Sequence, residues 1–268
     1  MKRYFLILLT IFIIGMSGCS KSETVKIGIS GSDTTIWDFV AEKAAEEGIE
    51  IEIVRFSDYV QPNLALAEGE IDANAFQTIS YFEAFIEEHD LDLVPIGTTA
   101  LAPMGIFSEK HDSIEDLPDG AVIALANEST NMGRGLLLLE EAGLIKLEED
   151  FDGIGSIDKI VENTKNIKLE PLVAGQTPRV LPDVDASIIN NGIAVDAGLS
   201  PLGDSIFHED ETAIPYVNII AAQAKDKNDE TLLKIVDIYQ TDEVRDFIIE
   251  HRQGNSIPTF LPLNDIGY

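Results

Sequence analysis

Residues 25–53 read VKIGISGSDTTIWDFVAEKAAEEGIEIEI, and the reading of this stretch decides the fold class. Val25-Lys26-Ile27-Gly28-Ile29 alternates as a strand does, and Gly31, Ser32 and Asp33 supply a turn. Residues 36–47 then follow helical periodicity and halt at Gly48, a helix stop signal. Ile49-Glu50-Ile51-Glu52-Ile53 returns to strict period-two alternation. Strand, amphipathic helix and strand in immediate succession predict an α/β fold with a parallel sheet.

Working outward, a helix is expected near residues 60–68, closed by Gly69, then a short strand at 71–76 and a helix at about 81–88. Apolar segments follow at 94–99 and 104–107. The alternation then restarts. Residues 113–117 form a capped turn, 121–126 a strand, 130–142 a helix stopped by Gly143, and 156–162 a helix. Residues 167–172 form a strand, 178–181 a helical turn and 186–189 a strand. A late apolar strand at 217–222 and helices at about 230–239 and 242–251 finish the chain. Two α/β units with a returning C-terminal segment predict two lobes. One takes 24–105 plus 220–268, the other 106–219, with crossings at 101–107 and 215–220. A ligand would sit between them, at the carboxyl ends of parallel strands.

The N-terminus carries a different signal. Lys2 and Arg3 precede an apolar run at residues 4–14 and the small-residue stretch Gly15-Met16-Ser17-Gly18. That is a secretory signal, residues 1–18, whose apolar part is about half of the ~20 residues that span a bilayer. Cys19, the chain's single cysteine, follows at once, as in a bacterial lipobox. Lipidation would make Cys19 the mature N-terminus, with residues 19–23 as a tether and acyl chains as the membrane anchor.

Composition narrows the partners. The formal net charge is −30, and removal of residues 1–18 takes Lys2 and Arg3 with it, giving −32. Such a surface repels nucleic acid and anionic head groups. With no thiol after Cys19, disulfides, zinc–thiolate sites and cysteine nucleophiles are excluded from the mature chain. There is no phosphate-binding glycine loop and no nucleophile elbow. His89, His111, His208 and His251 lie far apart without ligand spacing, so neither a metal nor a cofactor is expected. No catalytic constellation is present, and abundant carboxylates make any imagined acid–base pair uninformative.

Three stretches point to binding instead. Asn127-Glu128-Ser129-Thr130-Asn131-Met132-Gly133-Arg134 follows a strand and opens a helix. Its Ser, Thr and Asn suit helix caps, and Arg134 could grip a carboxylate bidentately or simply pair with Glu141 or another surface acid. Asn190-Asn191-Gly192 ends a strand and is either an Asn–Gly turn or a cleft-facing pair of amides. Tyr59, Phe76 and Tyr81 stand near strand or loop ends and either pack in the core or form a pocket for thioether and methylene groups.

Longer strings carry a family resemblance. Arg55-Phe56-Ser57-Asp58-Tyr59-Val60-Gln61-Pro62-Asn63, Asp72-Ala73-Asn74-Ala75-Phe76-Gln77 and Leu101-Ala102-Pro103-Met104-Gly105 are three of them. Thr130-Asn131-Met132-Gly133-Arg134, residues 185–190 and Pro215-Tyr216-Val217-Asn218 are the others. Together, across essentially the whole mature chain, they resemble the methionine-binding lipoproteins of ABC importers, the NlpA-type substrate-binding proteins. The resemblance implies a periplasmic-binding-protein type II-like fold, two α/β lobes joined by a two-strand hinge. It implies that Arg134 holds an amino-acid carboxylate, that Asn190 and Asn218 bind the amino and carboxylate groups, and that Asn131 stands beside Arg134. Tyr59, Phe76 and Tyr81 would line the side-chain pocket. It further implies a monomer, lipid-anchored on the extracytoplasmic face of the cell membrane, that delivers its ligand to a permease driven by an ATPase and catalyses no reaction. Where many members carry a histidine and a proline after the Phe-Gln pair, this chain has Thr78 and Ser80. That departure leaves open L- or D-methionine, another apolar amino acid or a short methionine-containing peptide. An oxyanion importer is a same-class alternative, and other classes remain as rivals: an enzyme on the same lobed architecture, and a surface adhesin or docking lipoprotein with a vestigial cleft.

Overall fold

The computed structural model describes residues 24–210 and 214–268. The signal peptide, Cys19 and the tether expected at 1–23 lie outside the described residues. The chain opens with β1 (Thr24–Ser30), α1 (Thr35–Glu46), β2 (Glu50–Phe56) and α2 (Gln61–Glu68). Then come β3 (Ala73–Asn74), α3 (Ile79–His89) and β4 (Leu93–Leu101). Residues 102–104 lead to a second set: β5 (Gly105–Phe107), β6 (Val122–Ala126), α4 (Ser129–Glu141), β7 (Ile145–Leu147), β8 (Ile160–Asn163) and β9 (Lys168–Leu172). β10 (Ala186–Ile189), α5 (Asn191–Asp196), α6 (Pro201–Asp204) and β11 (Ser205–His208) complete it. The chain returns through β12 (Val217–Gln223), α7 (Glu230–Tyr239), α8 (Asp242–Arg252) and β13 (Ile257–Pro258).

These strands form a six-stranded sheet, β13-β4-β12-β3-β1-β2, a five-stranded sheet, β11-β5-β10-β6-β9, and a small β7-β8 pair. β1 runs parallel to β2 and β3, and β6 runs parallel to β9 and β10, which makes each sheet the centre of an α/β lobe. β12 lies antiparallel between β4 and β3, inside the first sheet. Val217 pairs with Leu101, so the first sheet regains the chain at Val217, before residue 220. Gly105 pairs with Ile189, which places it in the second sheet.

Period-two alternation builds both cores. On β12, Ile220 and Ala222 face the cluster of Ile27, Val40 and Ile235, while Ile219 and Ala221 face Leu66, Ile71 and Phe82 on the opposite side. In the second sheet, Ile188 joins Ile123, Leu125 and Leu136, and its neighbour Ile189 joins Phe107 and Leu181. Each isoleucine, leucine, valine or phenylalanine side chain so removed from water stabilises the fold by about 1.5–3 kcal/mol at most. Glycine sets one close approach. A Cβ at Gly133 would stand 2.0 Å from the Gly153 carbonyl oxygen, so α4 can lie against the 153 loop only with glycine there.

Some local expectations are corrected. Residues 156–162 are not a helix: a 3-10 turn at Ile157–Lys159 leads into β8, which pairs antiparallel with β7. The expected strand at 71–76 shortens to Ala73–Asn74. Helical turns do form at 177–183, as expected for 178–181, and a 3-10 helix at Ala174–Gln176 precedes them. Asn190-Asn191-Gly192 is no Asn–Gly turn, because Asn190 precedes α5 and Asn191 and Gly192 lie within it. Glu128, without a side-chain cap bond, occupies the cap position of α4, which puts Ser129, Thr130 and Asn131 in the first turn.

Candidate functional site

β6 and β10 are parallel neighbours, so their carboxyl ends bring the start of α4 and Asn190 together. Asn190 Nδ2 donates to Asn131 Oδ1 at 2.9 Å, and both residues are buried. Arg134 lies three residues beyond Asn131, hence on the same face of α4. Opposite them, on the first-sheet side, β1 and β3 end and the antiparallel β12 begins. The cavity between, about 210 Å³, is lined by Arg134, Asn131 and Asn190 from one side and by Asn218, Phe76 and Tyr81 from the other. Tyr59 lines it too, so all seven residues singled out from sequence meet in one place.

Arg134 is 4% exposed and pairs with neither Glu141 nor a surface acid. Its partner is Glu209, itself 6% exposed. Nε donates to Oε1 at 2.7 Å and Nη2 to Oε2 at 2.5 Å. Nη2 also donates to the Ala102 carbonyl at 3.0 Å, and the Tyr216 ring stacks on the guanidinium at 4.3 Å. Glu209 Oε2 accepts the Met104 N–H at 2.7 Å. Among the described residues, these bonds use Nε and both donors of Nη2, which leaves the two Nη1 donors for a guest. Ala102 from one passage between the sheets and Glu209 and Tyr216 from the other therefore converge on one guanidinium.

The aromatic wall is built on buried amides. Asn63 and Gln77 exchange two hydrogen bonds of 2.7 Å, and Asn74 Nδ2 donates to Asn63 Oδ1 at 2.8 Å. Gln77 Nε2 also reaches Asn74 Oδ1 at 3.0 Å. This network joins the Gln61-Pro62-Asn63 and Asn74-Ala75-Phe76-Gln77 strings and holds the loop that presents Phe76. Tyr59 and Phe76 stack at 5.8 Å, and Tyr81 meets Tyr59 edge-on at 6.0 Å. Tyr81 Oη donates to the Tyr59 carbonyl at 3.0 Å. Burial, then the charge of Glu128, pushes both phenols well above their usual ionisation range, so both stay neutral. Among the described residues, Glu128 Oε2 is the buried side-chain polar atom without a partner. Thr78 caps α3, its Oγ accepting the Tyr81 N–H at 3.2 Å, and its backbone bridges Asn218 on β12.

Sequence reading missed Glu209, Tyr216 and Trp37, which also lines the cavity. Tyr216 stood inside a recognised string without a role. Nothing distinguishes Glu209 among 48 acidic residues until the fold sets it against Arg134.

Comparison with known proteins follows the same outline. The family model described as NlpA lipoprotein matches residues 25–260. The D-methionine-binding lipoprotein MetQ of Escherichia coli K12 is 40% identical over 240 residues, covering 86% of this chain and 88% of that one. An uncharacterized lipoprotein of Bacillus subtilis strain 168, YhcJ, is 39% identical over 256 residues, covering 94% and 92%. Among solved structures, a nutrient binding protein from Burkholderia cenocepacia bound to methionine superposes with a TM-score of 0.85. It is 40% identical and covers 88% of this chain and all of its own.

Proposed function

The chain belongs to the NlpA lipoprotein family and shares its two-lobe, periplasmic-binding-protein type II-like fold. From that premise we propose that it is the extracytoplasmic substrate-binding lipoprotein of an ABC importer, capturing methionine or a closely related amino acid for the permease. The observation that carries this reading is the pairing, in one cavity, of a buried guanidinium and amides with a three-ring apolar wall. A zwitterion with an apolar tail has the same two ends.

In this reading the Nη1 donors of Arg134 take the ligand carboxylate. Asn190 and Asn218 bind the amino and carboxylate groups, and Asn131 keeps the Asn190 amide turned. Tyr59, Phe76 and Tyr81 enclose the side chain. Burial of a methionine-sized side chain contributes about 1.5–3 kcal/mol, too little alone for tight capture, so the polar end supplies orientation and much of the discrimination. Closure proceeds by hinge bending at the two crossings, 101–107 and 215–220, because a guest touching both lobes binds the closed state better. The protein is held at the membrane through lipid on Cys19, acts as a monomer and catalyses no reaction.

Small molecules extracted from natively purified protein and identified by mass spectrometry test the reading, followed by calorimetry on Asn218→Ala. Methionine in the extract and loss of its binding in the variant are expected. Unchanged methionine affinity in Asn218→Ala would end the site assignment, and recovery of a different amino acid or a dipeptide would replace the ligand.

A further inference from the structure

Helix α5 reaches across from the second lobe, both of its ends are tied to the first lobe, and Asn191 and Asp196 are among the residues that line the cavity. At its start, Asn191 Nδ2 donates to the Pro103 carbonyl at 3.3 Å, in the passage between sheets, and also to the Asn255 carbonyl. At its end, Asp196 meets the loop after β1. Both carboxylate oxygens accept the Ser32 N–H at 3.0 Å, and Oδ1 also accepts the Ser32 hydroxyl at 2.8 Å. These residues stand 164 positions apart in the chain. At 1.5 Å per residue, Asn191 and Asp196 are separated by about 7.5 Å along the helix axis. The ties therefore run outward from the passage.

The first-lobe side is prepared for this contact. Gly31 has φ +99°, and a Cβ there would stand 2.4 Å from Asp196 Oδ2. Glycine is thus required both by its backbone and by the incoming carboxylate. Next to Ser32, Asp33 pairs with Arg252, which ties the loop after β1 to the end of α8 and so to the segment that follows it. That segment supplies Asn255, whose Oδ1 accepts the Ser200 hydroxyl and the Leu202 N–H, each at 3.0 Å.

We infer that Asp196 and Ser32 form a latch that holds the lobes closed over whatever the cavity contains. The inference rests on the binding-protein reading given above. The latch bonds are made between protein groups alone, so they favour closure without regard to the guest, whereas Arg134, the amides and the aromatic wall select it. Affinity and selectivity are then set by separate residues. The latch is exposed, which limits its strength; loss of the Asp196 carboxylate is expected to weaken binding by roughly three- to tenfold.

Two measurements on the full-length, detergent-solubilised protein test this. Trp37, the chain's one tryptophan, lines the cavity and reports binding by fluorescence. In Asp196→Ala, methionine and norleucine are expected to lose affinity by the same factor, through faster dissociation. Gly31→Ala is expected to do likewise. Without any ligand, amide hydrogen exchange across residues 31–34 should be faster in Asp196→Ala than in the wild type. Equal exchange in the two proteins, unchanged dissociation, or loss of one guest far beyond the other would overturn the latch. A wild-type protein that binds no amino acid would remove the binding reading, and the exchange comparison would still decide the latch.

Discussion

Separating Arg134 from Glu209 is expected to cost far more than an ion pair usually does. The two groups are 4% and 6% exposed and share two hydrogen bonds of 2.7 and 2.5 Å. Exposed pairs contribute up to about 1 kcal/mol, but removing one member of a buried pair leaves a charge with neither water nor partner, at about 3–5 kcal/mol. Arg134→Met would leave Glu209 stranded, and Glu209→Leu would strand Arg134 and also the Met104 N–H. Each single change should therefore cost about 3–5 kcal/mol, a third or more of the ~5–15 kcal/mol that stabilises a typical domain. The double variant leaves no lone charge and chiefly the unpaired Met104 N–H, about 1–3 kcal/mol. The cycle should thus give a coupling of roughly 3 kcal/mol or more, with the double variant more stable than either single. Urea unfolding at pH 7 followed by far-UV circular dichroism measures all four proteins. A Glu209→Leu cost below about 1 kcal/mol, or a double variant as unstable as the two single losses added, would refute this account of the pair. The result bears on function as well. Arg134→Ala is an unclean test of ligand binding, because it disturbs the fold around Glu209; the paired replacement removes the guanidinium without that penalty.

Gly133→Ala should destabilise by at least about 1–3 kcal/mol or prevent folding, since the new Cβ would meet the Gly153 carbonyl at 2.0 Å; an unchanged melting temperature would contradict this. The Val122 N–H that Asp185 accepts at 2.8 Å, helped by His111, holds the Asp185 carboxyl below its usual range. A depressed carboxylate stabilises the fold above its unfolded-state pKa of about 3.9 and loses that contribution as pH falls through its folded value. Asp185→Asn should accordingly show a shallower loss of stability between about pH 5 and 3 than the wild type, and parallel curves would dismiss the effect. Cys19→Ser should move the protein from the membrane fraction to the soluble one; if it stays with membranes after a salt wash, lipid is not the anchor.

The parts of this fold that sequence disclosed are those where local chemistry and tertiary context agree. The alternation of Ile49, Ile51 and Ile53 survives as β2, and Gly48, Gly69 and Gly143 all take positive φ just past their helices. Residues 160–163 went astray because Ile160 and Val161, set among charged neighbours, fit a helical pattern; pairing with Ile145–Leu147, a contact invisible locally, makes them β8. Gly192 concealed α5 for a similar reason, as an Asn-Gly step reads as a turn until Ala194 finds its place against Phe107 and Leu181. In the site, residue types that are rare here stood out, as Arg134 and the clustered aromatics did. Glu209 did not, because an acid in an acidic chain carries no signal until its partner is known.

The placement of β12 has a consequence for how this chain is made. It is inserted between β4 and β3, so the sheet that opens near residue 24 stays split until residues 217–223 arrive. Loop closure over that separation is slow, and no early fragment can complete the first hydrophobic layer. A polypeptide emerging from its amino end would thus hold its first lobe incomplete until β12 emerges, even where the contiguous second sheet, built from residues 105–208, has already formed.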